Sequence, residues 1–203
     1  NKRDGEGVLI YPTNTEIKGK WSNDTQLADV EVSYPNKEKY IGEISDGMRQ
    51  GYGICNYPDG SRYEGQWFMD KKQGNGINYY VNGDRYEGEW KNGMKFGNGV
   101  YSYGSGDMYE GFWVNDKKQQ NGKMSFVNGD CYEGEWLEGV KHGQGVYQYG
   151  TGEIYEGEFG NGFREGLGSY VWKSRESFTG IWQNDRYIEG DFYDSDGQKY
   201  QIK

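Results

Sequence analysis

The chain has 203 residues, of which only 33% are hydrophobic, yet it carries 35 glycines, 20 tyrosines and 7 tryptophans. That is too few aliphatic side chains for a core closed on all sides, and too many aromatics for a disordered chain. A net charge of −9 argues against nucleic acid as a partner and leaves acidic lipid head groups a weak one. No run of apolar residues is long enough to span a bilayer.

The first stretch, "GEGVLIYP" at Gly5–Pro12, alternates with Gly5, Gly7, Leu9 and Tyr11 in phase and reads as the second strand of a hairpin. From there a period emerges. Tyr40, Tyr63, Tyr86, Tyr109, Tyr132 and Tyr155 follow one another at 23-residue intervals, with Ile17 before them and Phe178 after. A fixed period of this size signals a repeat architecture. Each repeat is numbered here from its leading aromatic as zero.

Within a repeat, "YEGEW" (Tyr86–Trp90, Tyr132–Trp136) and its variants place an aromatic, Gly and Trp at 0, +2 and +4. A second stretch has Gly at +11 and +13 and an aromatic at +17: Tyr57, Tyr80, Tyr103, Phe126, Tyr149 and Trp172. Both alternate at period two and read as strands. Asp59-Gly60, Asn82-Gly83 and Asn128-Gly129 are expected to be two-residue hairpin turns, and the polar stretch from +5 to +10 a second loop. The expected fold is all-β: an elongated, single-layer, twisted antiparallel ribbon of β-hairpins. Roughly 10 Å of advance per repeat, from strands ~4.8 Å apart, makes it on the order of 70 Å long. The array runs over 1–203 as one continuous piece, with a partial unit at 1–16, units starting near 17, 40, 63, 86, 109, 132, 155 and 178, and a trailing strand at 200–203. The incomplete units at both ends suggest a piece of a longer chain, whose open edges would permit edge-to-edge self-association.

Alternation puts Tyr, Gly and Trp on one face, rings over bare glycine backbone, and both Glu on the other. The row Glu64, Glu87, Glu110, Glu133 and Glu156 then faces solvent. Cys55 and Cys131, about three repeats apart, are expected to be free thiols, which fits a reducing compartment.

Aromatic-x-Gly-x-Trp followed by Gly-x-Gly at a 23-residue period resembles the MORN (membrane occupation and recognition nexus) repeat family. The resemblance runs from Gly5 to the C-terminus. Departures are Ala28 and Val30 in place of Gly-x-Gly, Gln120 in place of the first Gly, and a unit at Phe178 one residue short, with Gly190 as the later Gly. The resemblance implies a ribbon with a groove that holds partners, as in ciliary radial-spoke proteins, cytoskeletal scaffolds and junctophilins. It equally accommodates a regulatory block of a phosphatidylinositol phosphate kinase or a SET-type lysine methyltransferase, or a membrane-contact tether.

Catalytic candidates are weak. The one histidine, His142, sits at +10, where other repeats have Gln50, Gln73, Phe96, Gln119 and Glu165. The Gly-x-Gly pairs lack the third glycine and the strand–helix context of a nucleotide loop. "DSDG" at Asp194–Gly197 lacks the rest of a calcium loop. The segment is therefore expected to be non-catalytic, with no cofactor and no metal. Two rows are binding candidates. Position +9 is basic in six successive repeats, Arg49, Lys72, Lys95, Lys118, Lys141 and Arg164; it is either a solubilising loop edge or a comb for acidic partners. The aromatic face, Tyr63, Trp67, Tyr86, Trp90, Tyr109, Trp113, Tyr132, Trp136 and Tyr155, is expected to form a groove for a helix or extended segment of a partner, lying over Trp90 and Trp113. The expectation is a scaffold for cytoskeletal or axonemal proteins in the cytoplasm, cytoskeleton or cilium.

Overall fold

The computed structural model describes residues 2–26 and 29–203, and among them the chain is built of strands and turns. Its contacts divide it into two units, 1–97 and 98–203. In the first unit the strands run in chain order: β1 (Gly5–Ile10), β2 (Glu16–Ser22), the short β3 (Thr25–Gln26), β4 (Val30–Ser33), β5 (Lys39–Ser45), β6 (Met48–Asn56), β7 (Arg62–Phe68), β8 (Lys71–Tyr79) and β9 (Arg85–Lys91). The division falls within β10 (Met94–Ser102). The second unit continues with β11 (Met108–Val114), β12 (Lys117–Ser125), β13 (Cys131–Leu137), β14 (Val140–Gln148), β15 (Ile154–Gly160), β16 (Phe163–Val171), β17 (Ser177–Gln183), β18 (Arg186–Tyr193) and β19 (Lys199–Ile202).

Every pairing is antiparallel and between chain neighbours, apart from the extra β2–β4 contact across β3, so each unit is a single open layer. The glycine pairs set the register. Gly65 faces Gly76 within a repeat and Gly53 faces Gly65 between repeats; Gly134 with Gly145 and Gly122 with Gly134 repeat this in the second unit. Gly190 takes the later place opposite Gly180. The terminal stretches join in the same register, Gly7 against Gly19 and Phe192 against Tyr200.

The turns differ from expectation. The two-residue turns lie at +6 and +7, where both residues have left-handed φ: Met69 47° and Asp70 64°, Asn115 48° and Asp116 67°, Asn184 48° and Asp185 66°. This is the pairing required by a hairpin turn that matches strand twist. Positions +8 to +10 are consequently strand and not loop. Asp59-Gly60, Asn82-Gly83 and Asn128-Gly129 sit in longer turns in which only the glycine is left-handed (Gly60 94°, Gly83 87°, Gly129 90°). There, Gly60 donates its N–H to Tyr57 O at 3.0 Å and Tyr57 donates to Ser61 O at 2.9 Å, a type I turn closed by a glycine bulge. Pro58 suits the first position of this type I turn by its fixed negative φ, and Val81 and Val127 hold that position in turns with the same bonds.

The unit at Ile17 is built by exchange of volume. Ile17 replaces the leading Tyr, and Val30, fully buried, stands where a glycine stands elsewhere. A Cβ at Gly19 would meet Val30 Cγ1 at 2.5 Å. The valine thus covers Gly19 in place of a tyrosine ring. Ala28 lies outside the described residues.

Candidate functional site

The aromatic ladder is the core. The leading residues Tyr40, Tyr63, Tyr86, Tyr109, Tyr132, Tyr155 and Phe178 are all 0% exposed, and Trp67, Trp90, Trp113, Trp136 and Trp182 are 2–7% exposed. Each Tyr ring lies over the glycine pair of its own repeat: a Cβ at Gly145 would reach the Tyr132 ring at 2.6 Å. Trp67, Trp90 and Trp136 meet their own Tyr edge-on (Tyr63–Trp67 5.0 Å, Tyr132–Trp136 5.3 Å) and the preceding Tyr likewise (Tyr63–Trp90 5.4 Å, Tyr109–Trp136 5.1 Å). The indole then reaches back across the sheet. Trp67, Trp90, Trp113, Trp136 and Trp182 donate Nε1–H to the carbonyls of Gly53, Gly76, Gly99, Gly122 and Gly168 at 3.0–3.3 Å.

Between +2 and +4 the register slips, as between Gly65 and Trp67 or Gly134 and Trp136, and the resulting bulge frees backbone groups. The tyrosine hydroxyl takes the freed carbonyl at +3: Tyr40 to Glu43 O 2.8 Å, Tyr63 to Gln66 O 3.0 Å, Tyr132 to Glu135 O 2.9 Å, Tyr155 to Glu158 O 2.9 Å. The acid or amide at +3 takes the freed N–H at +12: Gln66 from Asn75 at 3.0 Å, Glu135 from Gln144 at 2.8 Å, Glu158 from Leu167 at 3.2 Å. The two Glu of "YEGEW" differ in role: the first, Glu87 or Glu133, is exposed, and the second is half-buried at Glu89 and exposed at Glu135. The second is a bulge fastener.

These findings correct the groove. Tyr63, Trp67, Tyr86, Trp90, Tyr109, Trp113, Tyr132, Trp136 and Tyr155 are covered and offer no open ring face. The cover is the +9 row, itself misplaced at the sequence level. Position +9 has the parity of +11 to +17, and with the turn at +6 and +7 it lies in a strand, so its side chain points onto the aromatic face. Arg49 sits 4.2 Å over Trp67, Lys72 4.7 Å over both Tyr63 and Trp90, and Lys95 5.7 Å over Tyr86. In the second unit Lys118 lies 4.6 Å over Trp136, Lys141 4.6 Å over Tyr147 and Arg164 4.5 Å over Trp182. A cation on an aromatic face is held by the ring quadrupole. Burial against those rings lowers the Lys141 ammonium below its ordinary range. The same burial raises the phenols of Tyr40, Tyr63, Tyr109, Tyr132 and Tyr155 well above theirs, and Tyr34 to about 12.

Two further staples went unread in the sequence. Arg3, Arg49 and Arg164 donate backbone N–H (2.8 Å) and Nε–H (3.0–3.2 Å) to Asp24, Asp70 and Asp185, each 21 residues on. Lys72, Lys118 and Lys141 instead have glycine 21 residues on, whose N–H bonds the lysine carbonyl at 2.9–3.0 Å. The Arg–Asp and Lys–Gly pairing is visible in the sequence at every basic +9 position except Lys95, which has Asp116 at that place. At +10, Gln50, Gln73 and Glu165 accept the N–H of Met69, Asn92 and Asn184 at 3.0–3.2 Å. His142 occupies this stapling position and is exposed. Cys55 is buried and Cys131 half-buried, both free.

What the cation-bearing face does show to solvent is the +17 row. Tyr34, Tyr57 and Tyr80 are half-buried and Tyr11 exposed in the first unit; Tyr103, Phe126, Tyr149 and Trp172 are half-buried in the second. From Phe126 onward the +15 rings fill the intervals, giving a stack Phe126–Tyr147 (6.2 Å), Tyr147–Tyr149 (4.5 Å), Tyr149–Tyr170 (5.8 Å), Tyr170–Trp172 (4.7 Å). Among the described residues no group of three or more His, Cys, Asp or Glu is placed to hold a metal.

The MORN repeat family profile matches residues 1–16, 40–62, 63–85, 86–108, 109–131, 132–154 and 155–176, passing over the unit at Ile17. No curated protein matches the chain. Among solved structures, the chain is similar to the TCP10 domain of Danio rerio CPAP in complex with a peptide of Danio rerio STIL, at 12% identity and a TM-score of 0.55, covering 98% of this chain and 95% of that one. The same domain alone gives 12% identity and a TM-score of 0.51 over 97% and 99%. At this identity the likeness is one of fold.

Proposed function

The chain belongs to the MORN repeat family, and on that premise we propose that it is a non-catalytic scaffold holding protein partners in a cytoskeletal or ciliary assembly. The observation that carries this reading is the half-exposed aromatic row at +17, one ring per repeat, flanked by ring-bound cations. Aromatic side chains anchor protein contacts at low entropic cost, and a row of equivalent rings suits an extended partner. A catalytic centre needs one constellation unlike its surroundings, whereas here the ladder tyrosines, tryptophans and +9 cations recur with the same kinds of partner from repeat to repeat. The partner surface is accordingly the +17 row and not the buried Tyr–Trp ladder. The CPAP domain of similar fold, determined with a STIL peptide, supports the idea that an open sheet of this kind can hold a peptide.

The test is detergent extraction of cells carrying the tagged chain, beside a Tyr103→Ser/Tyr149→Ser double variant. The intact chain should stay with the insoluble cytoskeleton at a cilium or axoneme, and the double variant should be released. Complete solubility of the intact chain would overturn the cytoskeletal assignment.

A further inference from the structure

In the second unit, from Phe126 onward, a +15 ring lies between successive +17 rings, Tyr147 between Phe126 and Tyr149, and Tyr170 between Tyr149 and Trp172; between Tyr103 and Phe126 the +15 residue is Met124. In the first unit the interval between Tyr34 and Tyr57 has Cys55 at +15, and Arg49 fills it, 5.7 Å over Tyr34 and 3.5 Å from Cys55 Sγ. The next interval, between Tyr57 and Tyr80, has Asn78 at +15. Among the described residues no ring stands at +15 there; Lys72 lies along one side, its ammonium 5.3 Å over the Tyr57 ring, and a recess of about 780 Å³ opens beside it, walled by Tyr57 and Tyr80, rimmed by Pro58 and Val81, and floored by Lys72 and Asn78.

The floor is specific. Asn78 is only 3% exposed, and its amide oxygen receives the Lys72 ammonium at 2.6 Å. An ammonium can only donate, so this contact fixes the amide orientation. The Asn78 nitrogen donates to no other described residue and borders the recess. Two strand spacings of ~4.8 Å separate the Tyr57 and Tyr80 positions by about 10 Å, which leaves room for one ring between the two π faces.

Resting on the scaffold reading above, we propose that this recess docks a proline-rich segment of a partner protein, one prolyl ring taking the place that Tyr147 and Tyr170 hold in the second unit. The pyrrolidine ring offers C–H groups to two electron-rich faces. Its residue has a carbonyl acceptor and no N–H, which matches a floor that presents donors. The preformed polyproline helix also loses little entropy on docking.

The experiment titrates the isotope-labelled full chain with an acetylated polyproline peptide of about ten residues, long enough for several helical turns, and watches amide and side-chain resonances. Saturable shifts centred on Tyr57, Lys72, Asn78 and Tyr80 are expected. Asn78→Tyr, which installs the residue type of Tyr101, Tyr147 and Tyr170 at its own repeat position, should keep the fold and weaken binding at least tenfold, equal to about 1.4 kcal/mol. No saturable shift in the folded chain, or equal binding by Asn78→Tyr, overturns the proposal. So does tighter binding of a glycine-serine peptide carrying one phenylalanine. Cytoskeletal retention of both the intact chain and Asn78→Tyr, with no polyproline binding, would sink this site and leave the scaffold reading standing.

Discussion

The carboxylate of Glu135 occupies the space a side chain at Gly143 would need: a Cβ there would lie 2.6 Å from the Glu135 carboxyl carbon, and the same carboxylate accepts the Gln144 N–H at 2.8 Å. Gly143 itself has φ 58°, so the bulge demands glycine twice, for backbone and for room. The repeat at Tyr109 departs at both positions together, with Phe112 for the acid and Gln120, at φ 54°, for the glycine.

Gln120 therefore carries left-handed strain that its neighbours avoid, of about 1 kcal/mol for a non-glycine residue. Gln120→Gly should add only about 0–0.6 kcal/mol of stability, read from urea unfolding, once the added freedom of the unfolded chain is deducted from the relieved strain. Gly143→Ala should cost about 2 kcal/mol or more, since strain and the displacement of Glu135 add. Equal midpoints for the two variants would contradict this account of the bulge.

Phe159 stands at the ladder position where Trp136 and Trp182 donate to a glycine carbonyl. Phe159→Trp should supply the missing donor to Gly145 and stabilise by about 1 kcal/mol, and Trp136→Phe should cost about 1–2 kcal/mol by stranding the Gly122 carbonyl. Thermal unfolding of the two variants reads both; a stabilising Trp136→Phe would refute the role of the indole N–H.

His142→Gln should restore the +10 staple that Gln73 makes to Asn92 at 3.2 Å, here to the N–H of Asn161. The gain expected is about 0.5–1 kcal/mol for one net hydrogen bond, with slower exchange of the Asn161 amide. Unchanged exchange would show that this turn needs no staple.

The buried phenols make stability fall in alkali. Their folded pKa values are raised by burial, so the neutral form is favoured by the fold. That contribution is complete below the unfolded tyrosine value of about 10 and is lost as pH rises beyond it. Tyrosinate absorbance should accordingly rise in two stages, exposed phenols first and the ladder only with loss of β-sheet circular dichroism. All 20 tyrosines ionising together while the sheet persists would disprove it.

Much of the fold was legible because strand alternation is a local property. Tyr63, Gly65 and Trp67 share a face by parity alone, and the repeat of Tyr at 23 residues ensures that neighbouring hairpins stack like with like. Pair preference points to Asn82-Gly83 for the two-residue turn, whereas the structure makes it at Met69-Asp70. Aspartate tolerates left-handed φ but methionine is a poor candidate for it, and only pairing on both sides of the turn forces Met69 to 47°.

The sequence by itself determined the hairpin period, the aromatic-and-glycine face and the family, all of which rest on spacing between residues close in the chain. The tertiary structure decided which rings remain open. Trp90 is covered because Lys72, 18 positions earlier, lies over it, and the recess between Tyr57 and Tyr80 exists because Asn78 engages Lys72 and leaves the ring position empty. Burial depends on what the next repeat lays across a side chain, and a periodic sequence shows the same letters whether that neighbour covers the ring or stops short of it.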